Sequence, residues 1–333
     1  MGEGKVPNFK PISGSDLPRF AGIPTFMRLP HVEPQSDLAK SHVDVGIIGI
    51  PWDGGTTNRA GARHGPRQMR DMSTLMRNVH HVSGIQPFEL IKCADMGDSP
   101  VNPIQIEDTL DRVETFVRSL VEDGITPVTA GGDHLVSLPI MRAIKDKLCG
   151  GKPMGMVHFD AHTDTWDRYF GGSMYTHGTP FRRAIEEGLL DPKRTVQIGI
   201  RGSLYTPEDK DWGLEQGIRV IEIEEYFDLG VEGVIKEARR VIGDDPTYVS
   251  FDVDCLDPVY APGTGTPEIG GMTTHEAQQI VRGLRGADII SADVVEVSPP
   301  FDQSGATALV GVTIMWEILC LLAENMQKKG LVK

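Results

Sequence analysis

The chain is predicted to fold as one α/β domain, a mainly parallel sheet covered by helices on both faces. Three observations predict it. Strand-type and helical stretches alternate from Val43 onward, which implies repeated crossovers onto one sheet. The length, 333 residues, suits one large α/β domain. The Asp and His residues that stand out fall just past the ends of strand-type runs, where α/β sheets form their sites.

Each element has a local reason. Residues 1–40 are rich in Pro and Gly and weakly periodic. They read as an extended arm whose apolar stretch, Phe20 to Pro30, is expected to pack on the body or on a neighbouring subunit. The main unit is expected over 41–333. Val43 to Ile50 is a strand-type run ending in Pro51-Trp52-Asp53-Gly54-Gly55. Gly65-Pro66-Arg67 opens a helix to about Leu75, with Pro near its first turn. Phe88 to Cys93 reads as a short strand. Ile106 to Glu122 carries Leu110, Val113, Phe116, Val117, Leu120 and Val121 at helical spacing and stops at Gly124. A strand to Ala130 and a helix from about Ser137 to Lys147 follow. The strand Met154 to Phe159 leads into a long loop, 161–177, and a helix near Pro180 to Glu187. Thr195 to Ile200 and Arg219 to Ile223 read as strands, and Val231 to Val241 as a helix. A strand to Asp252 comes next. Thr273-Thr274-His275-Glu276 has the form of a capping box and opens a helix to Leu284. Asp288 to Val295 is a strand ending at Glu296, and Val310 to Gln327 is a C-terminal helix. Its Val312, Ile314, Trp316, Ile318, Leu319 and Leu322 are candidate contacts between subunits.

The chemistry concentrates at three strand ends. Asp160, His162 and Asp164 follow Phe159 at spacings of two. Alternate side chains of an extended chain point to one side, so three metal-type ligands share one space. Asp252 and Asp254 repeat the pattern after Tyr248 to Phe251, and Gly131-Gly132-Asp133-His134 follows Ile125 to Ala130. Each piece alone has a bland reading as a solvated loop or a turn. Together, such carboxylates would repel one another strongly without a cation. Asp mixed with His, without thiolates, suits two divalent cations: manganese, or nickel, cobalt or zinc. Two cations supply hydroxide at neutral pH by lowering the pKa of shared water.

Composition narrows the partners. The formal net charge of −14 argues against a nucleic-acid surface. No apolar run is expected to span a membrane, and Met1 to Lys5 lacks a signal-peptide stretch. Cys93, Cys149, Cys255 and Cys320 are scattered, which suits reduced thiols and a cytoplasmic location. Cys255 adjoins Asp254, but the alternation turns it away, so a packing role is expected.

Gly131-Gly132-Asp133-His134, Phe159-Asp160-Ala161-His162-Thr163-Asp164, His177-Gly178-Thr179-Pro180, Ser250-Phe251-Asp252-Val253-Asp254-Cys255-Leu256-Asp257-Pro258 and Glu296-Val297-Ser298-Pro299 resemble the ureohydrolase family of arginases, agmatinases and guanidino-acid hydrolases. The resemblance runs from about residue 43 to the C-terminus. Asn58 to Pro66 is similar to the agmatinase-like branch, and Phe20 to Pro30 resembles the arm of guanidinobutyrate and guanidinopropionate hydrolases. The resemblance implies a single three-layer α/β/α domain, a trimer or hexamer, and two manganese ions. It implies His134, Asp160, Asp164 and Asp252 as ligands of one ion and Asp160, His162, Asp252 and Asp254 as ligands of the other. Asp164 would also hold the bridging hydroxide. His177 matches the family's proton-shuttling histidine; on its own it reads as a loop or core histidine. Glu296 matches the carboxylate that pairs with the substrate guanidinium, a sensible charge-assisted clamp.

The implied reaction is hydrolysis of a guanidino group to urea and an amine. A linear guanidino acid, 3-guanidinopropionate or 4-guanidinobutyrate, is the expected substrate. The loop Thr165 to Tyr175 lacks the polar pattern with which arginases hold an α-amino-acid head. Arg168 in that loop is either a carboxylate receiver or a solvated arginine, with Tyr169 or the Phe20 to Pro30 arm closing over the tail. Agmatine and a biguanide such as metformin stay open as substrates. Two other classes also stay open: an inactive partner subunit, against which the full ligand set argues, and a one-zinc deacetylase, against which the second metal set argues.

Overall fold

The computed structural model describes residues 6–333. Eight strands form one sheet in the order β2-β1-β3-β8-β7-β4-β5-β6, and every pairing is parallel. In chain order the elements are α1 (Asp37–His42), β1 (Val45–Gly49), α2 (Gly65–Met72), α3 (Pro87–Leu90), β2 (Cys93–Asp98), α4 (Ile106–Glu122), β3 (Thr126–Ala130), α5 (Ser137–Cys149) and β4 (Met154–Phe159). Then come α6 (Pro180–Glu186), β5 (Leu190–Ile200), α7 (Asp211–Gln216), β6 (Arg219–Glu222), α8 (Ile223–Ile242), β7 (Thr247–Asp252), α9 (Thr274–Gly283), β8 (Ile289–Val295) and α10 (Ala306–Lys329).

The strand period sorts the core into two layers. Val45 and Ile47, Val157 and Phe159, and Val249 and Phe251 face one side, where Val234 and Val241 of α8, Ile280 of α9 and most of α10 cover them. Ile48, Met154, Met156 and Tyr248 face the other, under Val113 and Val117 of α4, Ile140 and Ile144 of α5 and Phe181 of α6. Successive side chains on a strand point to opposite faces, so a sheet covered twice makes its strands apolar throughout. The three-layer α/β/α expectation holds.

Several boundaries differ from the sequence reading. Phe88 to Leu90 form a helical turn opened by Pro87, and the strand starts at Cys93, in register with Val45. A short apolar run has no periodicity to tell strand from helix. Ile223 starts α8 rather than ending β6, and Gly230 (φ 64°, ψ 171°) kinks the helix just before the expected start at Val231. The capping box at Thr273 is present with both of its bonds.

Two expectations about surfaces separate. In the arm, Phe26, Met27 and Leu29 are buried in the body. The Phe26 backbone N–H donates to Asp95 (2.9 Å) and that of Met27 to Ser73 (2.7 Å). Phe20 and Ile23 remain exposed. The expected contact residues of the C-terminal helix are not at the surface: Val312, Ile314, Trp316, Ile318, Leu319 and Leu322 are all buried in this chain's own core. By length and composition α10 is apolar enough to cross a membrane, against the sequence expectation, yet 78% of its most apolar stretch is buried inside the protein.

Candidate metal centre and cleft

The carboxyl ends of β3, β8, β7 and β4 lie side by side in the middle of the sheet, and each contributes to one site. Phe159 pairs with Phe251 and Ala130 with Val294, so the residues that follow, Asp160, Asp252, Gly131 and Val295, come out level. Gly132 is required by close approach. A Cβ there would stand 1.6 Å from the Trp52 carbonyl oxygen, and the loop after β1 could not cross.

His134 opens a short helical turn capped by Asp133, whose carboxylate accepts from Leu135 N (3.1 Å) and Gly55 N (2.6 Å). Asp133 is thus committed to backbone, and His134 alone of this pair faces the site. His134 Nε2 lies 2.8 Å from Ser250 Oγ, and that hydroxyl donates to Asp293 (2.7 Å). Asp293 also accepts from Ser137 Oγ (2.6 Å) and Tyr248 OH (2.7 Å). With the Ser250 hydrogen spent on Asp293, the histidine must donate from Nε2, which leaves the lone pair on Nδ1.

His134 Nδ1 is buried without a hydrogen-bond partner. Around it stand Asp160 Oδ2 (3.1 Å), Asp164 Oδ2 (3.0 Å) and Asp252 Oδ2 (3.2 Å). A cation with bonds of about 2.1 Å holds neighbouring ligands about 3.0 Å apart, so His134 Nδ1 stands at ligand spacing from each of these oxygens, and His134, His158, Asp160 and Asp164 gather closely enough to hold an ion. A second group adjoins it. His162 Nδ1 is 3.4 Å from Asp160 Oδ1 and 3.1 Å from Asp254 Oδ2. Asp160 therefore offers one oxygen to each group. Burial, then Asp254 and Asp160, push the Asp252 carboxyl well above its usual range. Divalent charge between these groups removes that cost. The donor set fits two cations.

Asp254 sits on a helical turn (Val253–Cys255) rather than on an extension of the strand, and Cys255 is buried in the core. Asp164 (φ 50°) and Glu296 (φ 64°) both adopt left-handed backbone, a strained conformation for a non-glycine residue. This turn aims the Glu296 carboxylate inward. Its Oε1 accepts from His134 N (2.9 Å) and His177 Nδ1 (2.8 Å). Its Oε2 is buried and has no partner among the described residues, which leaves it open to a donor. Burial disfavours charge on His177, but Glu296 outweighs it and pushes the ring up to about 9.

Of these groups, Asp164, His177, Asp252 and His162 line a recess of about 60 Å³. It shares Thr57, His162, Trp166, Tyr169 and Thr266 with a cleft of about 650 Å³. Tyr169 lines this cleft, as expected. Arg168 does not: it is more than half exposed and holds its neighbour Asp167 (2.9 Å). Three other cations line the wall. Arg201 is spent on backbone carbonyls, including those of Gly199, Asp254 and Ile269, and Lys210 on Glu222. Arg59 lies over the Phe301 ring and donates to the Thr264 and Gly265 carbonyls through Nε and one terminal nitrogen.

Sequence reasoning missed a supporting layer. His158 Nε2 meets Asp160 Oδ2 (2.7 Å), while Gln197 Nε2 donates to His158 Nδ1 (3.1 Å) and to the Thr163 carbonyl (2.6 Å). His158, Gln197, Ser250 and Asp293 are fully buried polar residues flanked by apolar ones in the sheet. That anomaly was readable. Thr57, on the loop after β1, carried no such mark.

The sequence profile of the arginase family matches residues 43–321. Guanidinopropionase of Pseudomonas aeruginosa is 64% identical over 95% of this chain and 96% of its own. Guanidinobutyrase of the same bacterium is 46% identical over 94% of this chain and 96% of its own. The solved structure of proclavaminate amidino hydrolase from Streptomyces clavuligerus superposes with a TM-score of 0.86 at 40% identity. The match covers 92% of this chain and 99% of that one.

Proposed function

The chain belongs to the arginase family, and from that premise we propose that it hydrolyses a linear guanidino acid, 3-guanidinopropionate or 4-guanidinobutyrate, to urea and an amino acid. The observation that carries this reading is Glu296 Oε2, a buried carboxylate oxygen without a partner among the described residues, behind His177, which lines a recess together with Asp164 and Asp252. A guanidinium supplies the missing donors in matched geometry. Two manganese ions are the proposed cofactors. His134, Asp160, Asp164 and Asp252 would hold one, and Asp160, His162, Asp252 and Asp254 the other. When bound they supply hydroxide at neutral pH.

The chain's own residues divide the remaining work. Glu296 fixes the guanidinium and sets its plane. Asp164 accepts a proton at the metal-facing side of the recess. His177, charged under the influence of Glu296, is the proton source for the departing amine. Trp166 and Tyr169 wall the tail and exclude water. A carboxylate tail finds its cation on the cleft wall, where Arg59 has one terminal nitrogen with no acceptor among the described residues. That assignment replaces Arg168.

Residues 41–333 form the catalytic domain in this reading, and the protein is a cytoplasmic homotrimer or homohexamer. Phe20 and Ile23, 94% and 86% exposed, support a contact through the arm, and four buried free cysteines suit a reducing compartment. Light scattering tests the oligomer; an active monomer refutes it. A urea-release panel with arginine, agmatine, 3-guanidinopropionate, 4-guanidinobutyrate and metformin tests the substrate. Faster turnover of agmatine than of both acids overturns the assignment.

A further inference from the structure

His177 is held at three points, and Thr57 supplies the one that faces the cleft. The His177 backbone N–H donates to the Gly55 carbonyl (2.9 Å). Nδ1 meets Glu296 Oε1 (2.8 Å). Nε2 meets Thr57 twice, at the backbone nitrogen (3.0 Å) and at Oγ1 (2.7 Å). The Glu296 carboxylate only accepts, so Nδ1 keeps its hydrogen in either charge state. Nε2 is therefore the nitrogen that gains and loses a proton.

Access points the same way. His177 lines the inner recess but not the wider cleft, whereas Thr57 lines both. A guanidinium seated on Glu296 keeps its tail in the cleft. The nitrogen that will depart joins the two, so an acid must reach it from the cleft side. The loop that presents Thr57 is clamped on both flanks. Gly55 N donates to Asp133 (2.6 Å), Gly61 N donates to Asp53 (2.7 Å), and Arg63 pairs with Asp53.

We propose that the Thr57 hydroxyl relays the proton from His177 Nε2 to the amine that departs when the guanidino C–N bond breaks; this rests on the guanidino-hydrolase reading above. As the bond breaks, its electron pair stays on the amine nitrogen. That nitrogen takes the Thr57 hydroxyl proton, and Oγ1 takes the proton of Nε2. The ring is left neutral, with a lone pair on Nε2. The Thr57 backbone N–H then donates to that lone pair, which favours the neutral ring. Glu296 acts in the opposite sense before the step. One side of the ring thus holds it charged at the start, and the other stabilises it once the proton has gone.

Thr57→Val keeps the shape and the backbone N–H and removes only the hydroxyl. In metal-loaded protein, kcat for guanidino-acid hydrolysis falls about a hundredfold, the lower end of what a positioned acid contributes. KM changes by less than about threefold, because the hydroxyl acts on the departing group rather than on binding. Thr57→Ser restores most of the lost rate. Metal content and melting temperature matching wild type separate the effect from a disturbed loop; if Thr57→Val disturbs it, Thr57→Ala gives the same reading. A Val or Ala variant with wild-type kcat overturns the relay. So does a loss confined to KM, or a Ser variant as slow as Val. A wild type that releases no urea from any guanidino acid overturns the parent reading instead.

Discussion

Replacing Glu296 by Gln isolates the charge on the proposed clamp. The amide oxygen can keep the two bonds that Oε1 accepts, from His134 N (2.9 Å) and His177 Nδ1 (2.8 Å), so the local fold is retained. The amide nitrogen then occupies the place of Oε2, the buried oxygen with no partner. An attraction to guanidinium N–H becomes a donor facing a donor. A hydrogen bond to a charged group contributes about 1.5–3 kcal/mol, and each 1.4 kcal/mol is about tenfold in rate. The kcat/KM for guanidino acids should drop roughly 10- to 150-fold. A second effect follows at His177. Its value of about 9 depends on Glu296 outweighing burial, so the variant's ring titrates lower. The ring serves as an acid only when charged, so activity is present below its pKa and lost above it. The alkaline limb of the kcat profile should therefore move to lower pH. Urea release between about pH 6 and 10 reads both effects, and elemental analysis should show unchanged metal content. A variant within about threefold of wild type, or an alkaline limb that moves upward, refutes the clamp.

Other residues give sharper tests of the metal centre and the tail. Asp252→Ala removes an oxygen 3.2 Å from His134 Nδ1 and should lose bound metal and essentially all activity; full metal content by elemental analysis argues the other way. Ser250→Ala releases His134 Nε2 and should weaken metal affinity roughly ten- to hundredfold, measured by chelator competition; unchanged affinity would separate the Ser250–Asp293 pair from the centre. Arg168→Ala removes an exposed side chain paired with its neighbour, so kcat/KM for guanidino acids should stay within about twofold; a large loss would bring Arg168 back to the tail.

The sheet and the donor set were legible because both are written in short periods. Asp160, His162 and Asp164 follow a strand that runs straight into the site, so alternation identified the right residues, although the chain bends after Asp160 and Asp164 is aimed by its left-handed backbone. Asp254 was identified for the right neighbourhood and a different geometry, since its backbone turns helical. Glu296 was recognisable as a strand-end carboxylate, but its aim depends on a left-handed φ that no pattern announces. Arg168 shows the limit most clearly. Its place in a loop over the site was readable, while its direction, toward Asp167 beside it, was not. Phe88 to Leu90 failed for a plainer reason, an apolar run too short to reveal its period.

The left-handed backbone at Asp164 and Glu296 also has a consequence for selection. Each costs about 1–3 kcal/mol of folding stability, a cost that glycine avoids almost entirely and asparagine in part. Asp164 is thus a position where the folded chain would gain by losing its chemistry, and at Glu296 the gain is offset where the replacement cannot accept from His134 N and His177 Nδ1. A population of variants screened for heat resistance alone, with urea release left unwatched, should drift to glycine or asparagine at Asp164 early. The same screen run with an activity gate should hold both carboxylates and gather its gains elsewhere. Comparing the two lineages would separate what the fold prefers from what the reaction demands, residue by residue.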